Sequence, residues 1–224
     1  MILNFIDILK RKHANKKQRQ IIENFHTLYY NNSERTWRNT NWLGINVLKC
    51  PLDLWIYQEI LFEVKPDLII ETGTYVGGSA YFLASIMDLL ENGEIVTIDS
   101  EIRGNLPKHK RINYLNGLST SIEIIEKVKT FTKNKKRILV ILDSDHSKEN
   151  VLKEMRIYNK FVSKDSYLIV EDSNINGHPT LPEFGPGPWE AINSFLNENK
   201  EFKIDKEKEK FYFTLNPNGY LKKQ

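Results

Sequence analysis

The sequence predicts an α/β fold: a Rossmann-like, doubly wound, mostly parallel sheet with a C-terminal antiparallel hairpin and an N-terminal helical arm. Three observations carry this. Short apolar runs recur at 67–71, 94–99, 111–115, 137–142 and 167–170, mostly separated by helical stretches, and such alternation means a parallel sheet. The run ILVIL at 138–142 is apolar at every position, as expected when helices cover both faces of a strand. Between the first run and an apolar helix expected at 79–90 stands glycine-rich turn chemistry, which completes a strand, loop and helix unit.

The chain has 224 residues, long enough for one elaborated domain and short for two. Hydrophobic residues make up 40% and charged ones 27%, which excludes wholesale disorder. Net charge is +3, with lysines spread among glutamates, so the electrostatic footprint of a nucleic-acid binder is weak and no nucleic-acid partner is expected. Cys50 is the single cysteine; an internal disulfide and a cysteine-rich zinc site are ruled out, and a reducing, cytoplasmic compartment is expected. No run reaches the roughly 18 apolar residues of a spanning helix, and the short apolar start, interrupted by Asn4 and Asp7, does not read as a secretion signal.

Taken in order, residues 1–60 read as a helical arm or cap and 61–224 as the Rossmann-like domain. Ile2 to Leu9, followed by Lys10, Arg11, Lys12, Lys16 and Lys17, suits a docking or homo-oligomerisation helix better than one lying on an anionic membrane. Trp37, Trp42 and Trp55 sit in a polar setting that resembles a cap. The strands follow as given above. After the fifth comes the longest irregular segment, 173–188, with four prolines and three glycines, expected to face substrate as a lid. At the end, 202–205 and 211–214 flank a charged turn at 206–210 and are expected to pair as an edge hairpin.

Chemistry is expected at the carboxyl ends of the strands, where ligands bind in open α/β sheets. The loop from Glu71 through Gly73, Thr74, Gly77 and Gly78 to Ser79 has glycines that permit close approach of a ligand. Thr74 stands where a second glycine would admit a pyrophosphate, so a ligand without phosphate, such as S-adenosylmethionine, fits better, and Glu71 can accept a hydrogen bond from its amino group. The same glycines also suit a tight turn that only packs helix on sheet. Asp99 ends the second strand, where an acid accepts ribose hydroxyls; Ser100 follows it, and Gly117 and Ser119 close the third strand at the level of an adenine edge.

The fourth strand ends in Asp143, Ser144, Asp145 and His146, the fifth in Glu171 and Asp172. So many carboxylates at one sheet edge repel one another, and a divalent cation is the natural neutraliser; oxygen ligands select magnesium, calcium or manganese over zinc. The alternative is that Asp145 and Ser147 cap the next helix and leave the other acids solvated. His146, beside this cluster, is a candidate general base.

With these residues in view the chain resembles the cephalosporin-hydroxylase-like family, which includes rhamnosyl and macrolide-sugar O-methyltransferases. The resemblance runs from Trp42 to Lys222 and rests on 51–55 with 57–59, on 66–79, on 142–146, on Glu171 with Asp172, on 186–188 and on 216–219. It implies a sheet and metal site like those of catechol O-methyltransferase, with Asp143, Glu171 and Asp172 holding Mg2+, Asp143 favoured over Asp145 because it ends the strand directly, and His146 as base. The donor site would use Glu71, Gly73, Ser79, Asp99 and Ser119, with Thr74, Ser100 and Asp143 around them. The implied activity is S-adenosylmethionine-dependent O-methylation of a polar acceptor, a sugar, glycan precursor or natural product. A hydroxylase using non-haem iron would need two histidines and a carboxylate as a facial triad, and none of the five histidines is followed two residues later by an acid. A metal-assisted hydrolase and a non-catalytic binding protein on the same fold are the competing readings.

Overall fold

The computed structural model describes residues 5–101 and 103–224, with side chains from residue 15 onward; the apolar start at 2–4 lies outside the described residues. The chain opens with a long helix, α1 (Phe5–Asn31), and a 3-10 turn (Thr36–Asn39). A two-stranded ribbon follows, β1 (Asn41–Trp42) with β2 (Ile45–Asn46), then α2 (Pro51–Val64). Pro51 at the first turn suits a helix start. α2 ends on Lys65, in the left-handed region just before Pro66.

The main sheet has seven strands: β3 (Leu68–Thr72), β4 (Glu94–Asp99), β5 (Ile112–Asn116), β6 (Ile138–Leu142), β7 (Tyr167–Val170), β8 (Phe202–Ile204) and β9 (Tyr220–Lys223). Their spatial order is β5-β4-β3-β6-β7-β9-β8. The first five are parallel; β9 runs antiparallel between β7 and β8. The crossover helices are α3 (Gly78–Leu89), α4 (Ile122–Thr132), α5 (Lys148–Tyr158) and α6 (Pro188–Glu198). This is the expected doubly wound, mostly parallel sheet.

Alternate strand residues divide between two cores. Leu68, Ile70, Val140, Leu142, Leu168 and Val170 face Ile124 and Val128 of α4, Met155 of α5 and Ile192 of α6. Ile69, Ile95, Leu139, Ile141 and Ile169 face Ile56, Ile60 and Leu61 of α2 and Leu83 of α3. With both faces covered, every residue of β3, β6 and β7 is buried, which is why their sequences lack alternation. α2 therefore packs as a layer of the sheet and runs through the boundary expected at residue 60. α1 joins the body through Phe213, whose ring lies 5.2 Å from Phe25, 4.7 Å from His26 and 5.0 Å from Tyr29.

The terminal hairpin is present with a different second strand. Phe202 pairs with Lys223 and Ile204 with Leu221; 211–214 is not a strand, and the charged turn contains a short 3-10 helix, Lys206–Glu209. Phe213, Thr214 and Leu215 are buried instead, Phe213 against α1 and the Thr214 hydroxyl and Leu215 N–H on the carboxylate of Asp53 in α2. The alternation of that segment belongs to a packed loop.

Among the described residues no helix is long and apolar enough to cross a membrane.

Candidate active site

Register places the site. Thr72 pairs with both Ile98 and Leu142, and Leu142 with Val170, so Gly73, Asp99, Asp143 and Glu171 emerge along one edge of the sheet. β3 is the point where the chain, having run outward through β4 and β5, returns on the other side with β6, and such a switch point opens a crevice. A cavity of about 500 Å³ lies there. One end of its lining includes Gly73, Asp99, Ser100, Gly117 and Ser119; its other end holds Asp143, His146 and Asp172. Tyr30, Trp37 and Leu48, from the N-terminal segment, also line it. The segment 173–188 contributes no lining residue. Ser173, Asn174 and Thr180 are buried, and Asn174 bonds His26 and Thr180.

The glycine-rich loop is shaped by packing against protein. Gly73 has φ +91°, and a Cβ there would lie 1.8 Å from the carbonyl oxygen of Asp143. A Cβ on Gly78 would lie 1.9 Å from that of Asn46. The loop's other expected residues sit below the cavity surface. Thr74 Oγ1 lies 2.7 Å from Thr97 Oγ1, and Ser79 is buried beside Glu71. Glu71 is fully buried; Oε2 accepts from Thr97 at 2.6 Å, while Oε1 has no protein partner. Burial raises its pKa, opposed by the charge of Lys49 and by the hydroxyls of Ser79 and Thr97. At the cavity surface, the Asp99 carboxylate accepts from the backbone N–H groups of Tyr75 and Glu101, at 2.8 and 3.0 Å.

One ligand atom each from Asp143, His146 and Asp172 falls within 4.8 Å of the others, and His146 Nε2 is 3.3 Å from Asp172 Oδ2. Glu171 stands beside this group with both oxygens engaged: Oε1 accepts from the Tyr57 hydroxyl at 2.7 Å and Oε2 from Lys49 Nζ at 2.6 Å. The same ammonium bonds Asp143 Oδ2. Lys49 is only 5% exposed and Glu171 4%. Burial alone would lower the lysine pKa, but Asp143, Glu171 and Glu71 around it hold it raised. For Glu171, burial and the charge of Asp143 raise the pKa against the pull of Lys49. Asp145 takes the capping role: Oδ1 accepts from Ser147 N–H at 2.7 Å, and Ser147 is the N-cap of α5.

The carboxylates of Asp143 and Asp172, open to a polar cavity beside His146, fit a hard divalent cation that keeps several waters. Sequence reasoning missed Lys49, Tyr57 and Glu154. Glu154, in α5, is fully buried; its Oε1 accepts from the hydroxyls of Ser119 and Ser144, and its Oε2 has no protein partner. Tyr30 and Trp37 stack with centroids 5.4 Å apart and planes at 16°, and Arg38 lies over the Trp37 ring.

Residues 34–224 match the family described as Rhamnosyl O-methyltransferase/CmcI. The chain belongs to this family. Similar proteins within reach of the family include a rhamnosyl O-methyltransferase of Mycobacterium tuberculosis, 43% identical over 209 residues that cover 90% of this chain and 84% of the relative. That of Mycobacterium leprae is 41% identical, with 90% of each chain covered. The fold resembles a CmcI structure described as Mg-SAM, at TM-score 0.65 and 20% identity, over 84% of this chain and 77% of the other. It also resembles the O-methyltransferase TomG of Streptomyces achromogenes in complex with SAM, at TM-score 0.51 and 13% identity, over 81% and 80%. At these identities the structural likeness concerns the fold, and the family assignment rests on the sequence matches.

Proposed function

We propose that this chain transfers a methyl group from S-adenosylmethionine to a hydroxyl of a sugar, a rhamnosyl unit or a close relative, with a magnesium ion at the acidic edge formed by Asp143, Glu171 and Asp172. The observation that carries the reading is the single cavity that joins Asp99, Ser100 and Ser119 to Asp143, His146 and Asp172. A methyl donor and an acceptor oxygen have to meet within such a space. The rhamnosyl acceptor is supported by the name and 43% identity of the Mycobacterium tuberculosis relative.

When bound, S-adenosylmethionine supplies a sulfonium-activated methyl and the magnesium ion supplies Lewis-acid polarisation of the acceptor oxygen. The protein's own residues do the rest. Asp99 is the acceptor for ribose hydroxyls, and Ser119 lies at the adenine level. Glu71, fully buried below the cavity surface with one oxygen lacking a partner, sets its negative charge under the place of the donor's ammonium group. His146 takes the acceptor hydroxyl proton, and the Asp172 carboxylate 3.3 Å away stabilises the resulting imidazolium. Tyr30 and Trp37 offer the flat aromatic wall on which sugar C–H faces pack, and with Leu48 they exclude water from the reacting atoms.

The test is incubation of the purified chain with S-adenosylmethionine, magnesium and rhamnosyl glycosides, followed by mass spectrometry of the product. Gain of one methyl per acceptor is expected, abolished in Asp143→Asn and reduced about a hundredfold or more in His146→Ala with donor affinity nearly preserved. Turnover at the wild-type rate in both variants overturns the assignment of roles, and absence of donor binding in calorimetry overturns methyl transfer itself.

A further inference from the structure

We infer that Glu154 is a positioning residue for recognition of the donor's base. It takes the hydroxyl proton of Ser119 and leaves that oxygen able only to accept, so this end of the cavity selects a purine with an exocyclic amino group over one with a carbonyl. The inference rests on the reading of Ser119 at the adenine level given above, and the metal has no part in it.

A buried carboxylate is costly unless its oxygens find hydrogen-bond donors. Glu154, fully buried in α5, has its Oε1 met by two hydroxyls, those of Ser119 and, at 2.8 Å, of Ser144. A carboxylate oxygen has no proton to return, so both serines donate. What they have left differs. Ser144 Oγ also accepts from Asn150 Nδ2 at 3.1 Å, whereas Ser119 Oγ accepts from no group among the described residues, and Ser119 lines the cavity. The Ser119 carbonyl is held from the same helix: Tyr158, one turn on from Glu154, donates its hydroxyl to it at 2.7 Å. Helix α5 thus grips this serine at two points and sets which way its hydroxyl faces. An alcohol free to rotate can donate or accept; one whose proton is committed to a buried carboxylate presents lone pairs alone. The 6-amino group of adenine supplies an N–H to such an oxygen. The 6-oxo group of hypoxanthine would set two acceptors against each other, and a site built for a hydrogen bond rejects the ligand that leaves it unmade.

The deciding experiment is calorimetric titration of the full chain with S-adenosylhomocysteine and with S-inosylhomocysteine, read as the ratio of the two dissociation constants. The wild type is expected to favour the adenosyl compound about tenfold or more. Glu154→Met removes the acceptor at similar volume and frees the Ser119 hydroxyl to donate. The preference is then expected to shrink to within about threefold, since a rotating hydroxyl serves either base. Ser119→Ala, which leaves the helix and its carboxylate in place, is expected to do the same, and it decides the matter should Glu154→Met not fold. Tyr158→Phe loosens the same serine without touching its hydroxyl; it is expected to weaken both ligands alike and to keep their ratio. Equal affinities in the wild type, a preference that persists in Ser119→Ala, or one that shrinks as far in Tyr158→Phe as in Glu154→Met overturns the inference. Absence of S-adenosylhomocysteine binding to the wild type would instead remove the methyl-donor reading on which it rests.

Discussion

Replacing Gly73 with alanine tests whether the glycine-rich loop is shaped by its ligand or by the strand next to it. The structure places a β-carbon at this position 1.8 Å from the backbone oxygen of Asp143 and 2.5 Å from its carbonyl carbon. Ordinary contacts of this kind lie near 3.4 Å, and the obstructing atoms are backbone rather than the tip of a flexible side chain, so the ends of β3 and β6 have to separate. Overpacking of this kind costs about 1–3 kcal/mol, and the left-handed φ of +91° adds about 1 kcal/mol for a residue with a side chain. The total, about 2–4 kcal/mol, corresponds to a fall in melting temperature of about 5–15 °C for a chain of this size. Gly44 supplies the control, since it has φ +83° and nothing within 4 Å of its would-be Cβ; its alanine variant bears only the conformational cost, about 1 kcal/mol. Thermal unfolding of the two variants beside the wild type, with Mn2+ affinity measured on each, checks both numbers. Equal melting temperatures for the two alanine variants would refute the packing argument. So would a destabilised Gly73→Ala whose metal affinity is unchanged, because separation of the strand ends must move Asp143.

Burial lowers the His26 pKa from 6.5 to about 4. The folded state resists a proton that the unfolded chain accepts, so stability is present above pH 6.5 and falls by about 1.4 kcal/mol per pH unit between 6.5 and 4. Denaturant titrations of His26→Gln should lack this part of the slope, and parallel curves for the two proteins would rule it out. Phe213→Ala removes the ring that Phe25, His26 and Tyr29 surround, a loss of about 3 kcal/mol. Hydrogen exchange should quicken in 15–31 with the amides of β3 and β6 unchanged, and uniform quickening would show that α1 is not held separately. Trp37→Ala should raise the acceptor KM about tenfold with kcat within about twofold, as for a residue that binds substrate and transition state alike; an unchanged KM removes Trp37 from the acceptor wall.

The parallel strands were legible because burial on both faces leaves uninterrupted apolar runs, and the carboxylates at their ends because a strand end is marked by where such a run stops. Asp143, His146 and Asp172 come together for that reason. The segment 211–214 misled because Phe211, Phe213 and Leu215 alternate as a strand would, while Phe211 is exposed and the burial of Phe213 and Leu215 is spent on α1 and the start of α2 rather than on a ladder. Lys49 had no local signal: a lysine before Cys50 and Pro51 reads as solvated, and only the approach of Asp143, 94 residues away, and of Glu171, 122 residues away, makes it a buried counter-ion. Gly73 was visible, yet the atom it makes room for is on another strand. Glu154 sits in an amphipathic helix among exposed lysines and glutamates, where one inward carboxylate is indistinguishable by spacing.

That inward carboxylate ties two ends of the cavity together. Ser119 follows β5 and Ser144 follows β6, and both hydroxyls donate to Glu154 Oε1, so a shift of either loop is transmitted to the other through one shared acceptor. Such a shared acceptor makes the two halves of the cavity a linked pair. Any factor by which an occupant beside Ser144 tightens binding beside Ser119 has to be returned in equal measure, since thermodynamic coupling is reciprocal. Two reactants that promote each other's arrival in this way fill the cavity together more often than independent binding would allow.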